Sequence, residues 1–344
     1  MLYKDVDDLF RTRRTPWKWI VAGGVLAVVI LLLLVRPKSD PASQPPETVG
    51  EDEATTTVET SAAGTESGAV AEPAPSASVA RPRRTPAVRT PSTEEPTVPI
   101  KQINDLLARA RQQENEDKLA EAREELLTLL ESPGSLGSYQ RQVESRLGAI
   151  NIALVVSQRP MPGKISYVIK SGDLLSKIAA TYNCPAELIQ RANGIANPNL
   201  IRPGNTVYLL DHPKFAVEVS KGRNDLVLTL GGRFFKRYNV GTGVYGTTPE
   251  GTFIINDKIP EPPWWKPDGG VIPFGDPENI LGTRWLALQA SGSTPPVKGY
   301  GIHGTWDPKT IGSQSSAGCV RMVNEEVEEL FMLLPRGTPV VITK

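Results

Sequence analysis

Residues Trp19 to Val35, WIVAGGVLAVVILLLLV, form an uncharged run of seventeen. A helix needs ~17–25 apolar residues to cross a bilayer core, so this run constrains everything around it. Trp17 and Lys18 extend it at one interface, where aromatic and snorkelling basic side chains are favoured. A cleaved signal peptide fits less well. Its apolar core is usually ~7–15 residues, and here RPKSDP follows in place of a small-x-small cleavage site. Lys4, Arg11, Arg13, Arg14 and Lys18 precede the span, against Arg36 and Lys38 close behind it. That bias predicts residues 1–18 in the cytoplasm, 19–35 as a single-pass transmembrane helix in the cytoplasmic (inner) membrane, and the rest exported to the periplasmic or cell-wall side.

Residues 36–98 are rich in Pro, Ser, Thr, Ala and Glu and poor in large apolar side chains. Such a segment buries too little apolar surface to offset its ordering entropy, so it reads as a disordered spacer. Its acidic stretch, Glu47 to Glu72, and the basic one at Arg81, Arg83, Arg84 and Arg89 read as solvated tail. The whole chain has zero net charge, which gives no general affinity for nucleic acid.

From 99 to 158 the pattern turns helical. Ile103, Leu106, Leu107 and Ala110 fall on one face, and Leu119, Ala122, Leu126, Leu129 and Leu130 on another. SPGSLGS breaks the second segment, and Val143, Leu147, Ile150 and Leu154 suggest a third. DKLAEAREELLTLL looks like the first helix of a tetratricopeptide-type unit, though such units normally come in several copies. A small helical segment with a protein partner of its own is the expectation.

Residues 164–211 change character again. Tyr167-Val168-Ile169 reads as a strand, Gly172 and Asp173 as a turn and helix N-cap, Pro185 as the start of a second helix, and Thr206 to Leu210 as a closing strand. YVIKSGDLLSKIAATY, Asn193 and LIRPGNTVYLL together resemble a LysM domain along its whole length. The resemblance implies an α+β fold of the βααβ type that binds N-acetylglucosamine-containing glycan, notably peptidoglycan. Gly172, Asp173 and Asn193 are its candidate glycan-binding residues.

After residue 215 short β-rich runs dominate: FAVEVS, DLVLTL, RFFKRYNV, TFIIND, RWLALQ and TPVVIT. They predict a mainly-β sandwich over 215–344 with one helix, in which Asn324 is the cap, Val327, Leu330, Phe331 and Leu334 the buried face, and Gly337 the end.

The chain has only two histidines and two cysteines, and GIHGTWDPKTIGSQSSAGCVRM holds one of each, His303 and Cys319. Metal is a poor explanation, because a zinc site needs three or four ligands and the other two residues, Cys184 and His212, sit in different segments. Cys184 is expected as a small packed residue and His212 as a surface one, although export leaves a Cys184–Cys319 disulfide open. Nucleophilic catalysis suits the pattern better. An imidazole can take the thiol proton and hold the thiolate as an ion pair. Gly318 lets main-chain N–H groups approach a developing oxyanion, and Gly304 permits a tight backbone behind the histidine. Arg321, two positions beyond Cys319, could raise thiolate character and hold a substrate carboxylate.

IHGT, SAGCVRM and, upstream, GTTPEGTFIINDKI and GDPENILGTRWLAL resemble the L,D-transpeptidase catalytic domain in the same order. The resemblance implies Cys319 as acyl-accepting nucleophile and His303 as general base, oriented by the main-chain carbonyl of Gly304. It implies an oxyanion hole from N–H groups around Ala317, Gly318 and Cys319, with Ser316 and Arg321 matching the family's positions. Ala317 stands where many members have histidine. The implied activity is transfer of a peptidoglycan stem peptide to form 3–3 cross-links through a thioester, with no metal and no cofactor. Hydrolysis, as an L,D-carboxypeptidase, and a non-catalytic wall anchor are the alternatives. PEPPWWKPDGGVIPFGDPEN is expected to fold over the cleft, with Trp264 and Trp265 as apolar walls or as simple packing.

Overall fold

The computed structural model describes residues 95–266 and 269–344. The expected membrane span and residues 36–94 of the expected spacer lie outside them; residues 95–98, also expected as spacer, instead pack on the helices, with Val98 buried and the Thr97 N–H donating to the Ser135 carbonyl at 2.9 Å. Among the described residues no helix is long and apolar enough to cross a membrane.

Three helices open the described chain, α1 (Ile100–Asn115), α2 (Leu119–Leu130) and α3 (Gln140–Val155). Each buries one stripe, led by Ile103 and Leu107, by Leu126 and Leu129, and by Val143 and Leu147. Gly134 in the break has a φ of +119°, a backbone conformation that glycine adopts without steric cost.

A smaller α+β unit follows. β1 (Lys164–Val168) pairs antiparallel with β2 (Thr206–Leu210), and α4 (Leu175–Thr181) and α5 (Ala186–Asn193) lie between them in sequence. Two details differ from the sequence reading. Asp173 does not cap α4: its Oδ2 accepts from the Lys170 N–H and from the Tyr167 hydroxyl, both at 2.8 Å, and so closes the turn before the helix. Pro185 is the N-cap of α5 and not its first helical residue. Cys184 is buried and unpaired.

The remainder is built from β3 (Phe215–Ser220), β4 (Asp225–Leu230), β5 (Arg233–Asn239), β6 (Thr242–Gly243), β7 (Gly251–Pro260), β8 (Trp264–Trp265), β9 (Val271–Ile272), β10 (Arg284–Ala290), β11 (Gly301–His303), β12 (Gln314–Ser316), β13 (Val320–Arg321), α6 (Asn324–Leu333) and β14 (Pro339–Thr343). Eight of these strands are hydrogen-bonded in the order β13-β11-β10-β7-β14-β3-β4-β5 as a mixed sheet, with β6 paired to β12 and β8 to β9 separately. The long strands β7 and β10 stay paired through a bulge at Ala287/Leu288, so the ladder bends without dividing into two sheets. Asn324 is the first residue of α6 and not its cap; its side chain turns away to accept from the Thr283 N–H at 3.1 Å. The helix stops at Leu333, before Gly337.

Within the chain, the helical segment packs on the edge of the sheet. β5 is an edge strand, and an uncovered edge invites pairing with other chains. α3 covers it: buried Asn151 donates to the Phe235 carbonyl at 2.8 Å and accepts from Arg123 Nε at 2.7 Å. Arg237 on β5 grips the buried Glu144 of α3 with two bonds of 2.7 and 2.8 Å, the fork geometry that makes an arginine–carboxylate pair strong.

Candidate active site

Ser316 to Arg321 join β12 to β13 in a tight loop. Gly318 has a φ of +143°, and a Cβ there would lie 2.7 Å from the Tyr300 ring, so the position admits only glycine without rearrangement. Buried Ser316 braces the turn, its Oγ donating to the Cys319 carbonyl at 2.7 Å and accepting from the Gly318 N–H at 3.1 Å. That second bond occupies Gly318 N–H and removes it from the expected set of oxyanion donors. Ala317 is exposed at the surface of the loop. The Cys319 thiol is half-buried and donates to the Gly299 carbonyl at 3.6 Å. Burial pushes its pKa up, while the Gly301 N–H and Arg321 pull the other way.

His303 ends β11 and is 2 % exposed. Its Nδ1 donates to the Gly304 carbonyl at 2.6 Å, which fixes the neutral tautomer with Nε2 as the basic nitrogen. Burial pulls its pKa down to about 4, and Arg321, at the paired position of the parallel strand β13, adds to the effect. Both shifts favour neutral partners, thiol and imidazole, in the resting state. Burial thus weighs against the ion pair expected from sequence, because each charge loses hydration at this depth.

Cys319, His303 and Arg321 line a cavity of about 510 Å³, together with Trp264, Trp265 and Trp285. β8 pairs with β9 as a short hairpin, so Trp264 and Trp265 stand as walls of the cleft. Arg321 Nε is buried without a hydrogen-bond partner. Such a group in a cleft is poised for an acceptor from outside the protein.

Residues 214–342 match the model of the YkuD family, the L,D-transpeptidase catalytic domain, and residues 167–209 match that of the LysM domain. YkuD of Bacillus subtilis (strain 168), named as an L,D-transpeptidase, is 34% identical over 190 residues, which are 52% of this chain and 99% of that protein. This chain belongs to the L,D-transpeptidase family. YqjB of the same organism, also named as an L,D-transpeptidase, is 40% identical over 128 residues, 37% of this chain and 70% of its own length. The solved catalytic domain of the E. faecium L,D-transpeptidase is 22% identical, with 38% of this chain and 96% of that one covered at a TM-score of 0.30.

In this L,D-transpeptidase family member the three LysM candidates differ in what they have free. Gly172 is exposed in its turn with a φ of +85°, and Asp173 is engaged as described. Asn193 is engaged within the domain. Its Nδ2 donates to the Ile189 and Tyr208 carbonyls at 2.8 and 2.7 Å, and its Oδ1 accepts from the Tyr208 N–H at 2.8 Å. The amide is spent on stitching α5 to β2 and has little left to offer a sugar. His212 is exposed and hydrogen-bonds Asp211, as an ordinary surface residue does.

Sequence reasoning missed Trp285, Tyr300 and Asn324, which all shape the site. Trp285 stacks on His303 across β10 and β11, with ring centroids 5.6 Å apart. Its place in the alternating run RWLALQ was the only signal, and that pattern does not say which neighbour it faces.

Proposed function

We propose that this chain is a membrane-anchored cysteine L,D-transpeptidase that forms 3–3 cross-links in peptidoglycan. The observation that carries this reading is one cleft lined together by a half-buried thiol, a neutral imidazole with a fixed tautomer, and an arginine with an unpartnered Nε.

Cys319 Sγ attacks the carbonyl between the third and fourth stem residues while His303 Nε2 takes the thiol proton. The S–C bond forms, and the C–N bond breaks as His303 returns the proton to the departing D-alanine amine. The side-chain amine of a second stem then attacks the thioester and releases the thiol. With Gly318 N–H engaged by Ser316, the N–H groups of Ala317 and Cys319 are the remaining donors for the oxyanion. Arg321 holds a donor carboxylate.

In this reading the LysM domain, residues 164–211, binds the glycan and raises the local concentration of stems at the catalytic domain, residues 215–344. The span at 19–35 holds both on the outer face of the cytoplasmic membrane, with the N-terminus inside. Full-length protein in detergent, incubated with tetrapeptide muropeptides beside a Cys319→Ala control, tests the reading by mass spectrometry. Dimers lacking one D-alanine and joined 3–3 support it. Tripeptide monomers alone identify a hydrolase, and unchanged substrate identifies a wall anchor.

A further inference from the structure

Trp285 takes no part in the bond-making set out above, yet its side chain lies flat on His303. The two residues sit opposite each other in the β10/β11 pair, with ring centroids 5.6 Å apart and planes 25° from parallel. Gly301, also on β11, makes room for the indole: a Cβ there would lie 2.6 Å from Trp285 Cζ2. The same indole lines the cleft, so it stands where water from the cavity would otherwise reach that face of the imidazole.

We propose that Trp285 is a positioning residue for His303, holding the ring plane so that Nδ1 stays on the Gly304 carbonyl, and keeping water off the imidazole before substrate arrives. The inference draws on the transpeptidase reading only in naming His303 as the base.

Two observations support it independently. One edge of the ring is already pinned at 2.6 Å by Gly304, so a stacked face leaves the imidazole no freedom to turn. The second is electrostatic. A buried imidazole covered by an apolar face is costly to protonate, in keeping with a pKa of about 4 that burial, first, and then Arg321 depress against the opposing pull of the Gly304 and Leu281 backbone. The charged and titratable groups that line the cleft with it are Arg321, paired with it on β13, and Cys319, Lys298 and Tyr300. Arg284 on β10 is 3.9 Å from Glu328 of α6.

The chain has two histidines, so a carbon-13 histidine spectrum of the full-length protein holds two signals, and His212→Gln identifies the one from His303. In the parent protein His303 is expected to stay neutral down to about pH 5. In Trp285→Leu its midpoint is expected to rise by one pH unit or more, a tenfold or greater gain in proton affinity, with the acid limb of Cys319 acylation moving alongside it. Trp285→Phe, which keeps a flat apolar face, stays near the parent value. A midpoint in Trp285→Leu equal to that of the parent overturns the proposal, whatever the rate does. Where Trp285→Leu does not fold, Trp285→Met, which keeps more of the volume without a flat face, takes its place, and an unchanged midpoint there overturns it equally. A moved midpoint without any 3–3 dimer sinks the transpeptidase reading and leaves this one standing.

Discussion

Asn324 Oδ1 lies against Gly304 so closely that a methyl group on Gly304 would overlap it, with Val327 Cγ1 3.2 Å from the same point. Gly304, whose carbonyl orients His303, is thus packed against the first turn of α6.

Gly304→Ala is therefore expected to lower acylation of Cys319 by tenfold or more, by moving the carbonyl that accepts from Nδ1. Asn324→Ala relieves the overlap and should restore part of the loss in the double variant. A double-mutant cycle of carbapenem acylation rates reads the coupling. Strict additivity would show that the two residues act separately.

The pH dependence of stability carries two opposed contributions. Burial depresses His303 to about 4 from 6.5, so between those values the unfolded chain takes up a proton that the folded one refuses, and stability falls as pH is lowered. Burial raises Glu326 to about 7 from 4.5, so the folded chain keeps a proton that the unfolded one releases, and stability falls as pH is raised. The two offset each other between pH 4.5 and 6.5. Glu326→Gln should unmask a stability that rises with pH, approaching ~1.4 kcal/mol per unit, and His303→Gln the reverse slope. Urea unfolding across that range measures both, and a flat Glu326→Gln profile would refute the assignment.

Cys319 should alkylate slowly at neutral pH, because burial raises its pKa and its thiol donates to Gly299. The iodoacetamide rate is expected to keep climbing beyond the usual thiol range of ~8.5. Slow labelling thus does not argue for a non-catalytic anchor, since the proton leaves only as attack begins. Rapid carbapenem acylation at pH 7 in the same preparation distinguishes the two; a thiolate-like alkylation rate at pH 6 would contradict the neutral resting state.

Asn193→Ala should destabilise the LysM domain by ~1–3 kcal/mol, since it leaves the Tyr208 N–H and carbonyl without their partner. Glycan affinity of the folded fraction should be unchanged. Isothermal titration with chitin oligomers beside thermal unfolding separates the effects, and a folded domain with lost affinity would return Asn193 to the binding site.

Much of this was legible in the sequence. The stripes of α1, α2 and α3, the strand runs from Phe215 to Asn239, and the LysM and L,D-transpeptidase resemblances were readable, because local periodicity and turn chemistry carry them. The short strands β11 and β13 were not. Three residues and two residues have no period to detect, yet their parallel pairing sets His303 opposite Arg321. Asp173 and Asn324 both read as caps because the residue type suits a cap, while their real acceptors and donors lie elsewhere in the fold.

The sequence by itself determined which chemical groups exist: one Cys–Gly and one His–Gly pair in a chain poor in both cysteine and histidine, embedded in motifs of a known family. Only the tertiary structure decided their charge states and their company. Burial pushes the thiol's pKa up and the imidazole's down, Trp285 stacks on His303, Ser316 takes the Gly318 N–H, and α3 packs on the edge at β5. The reason is that desolvation and stacking depend on what is packed nearby in space, and residues far apart in sequence supply that packing.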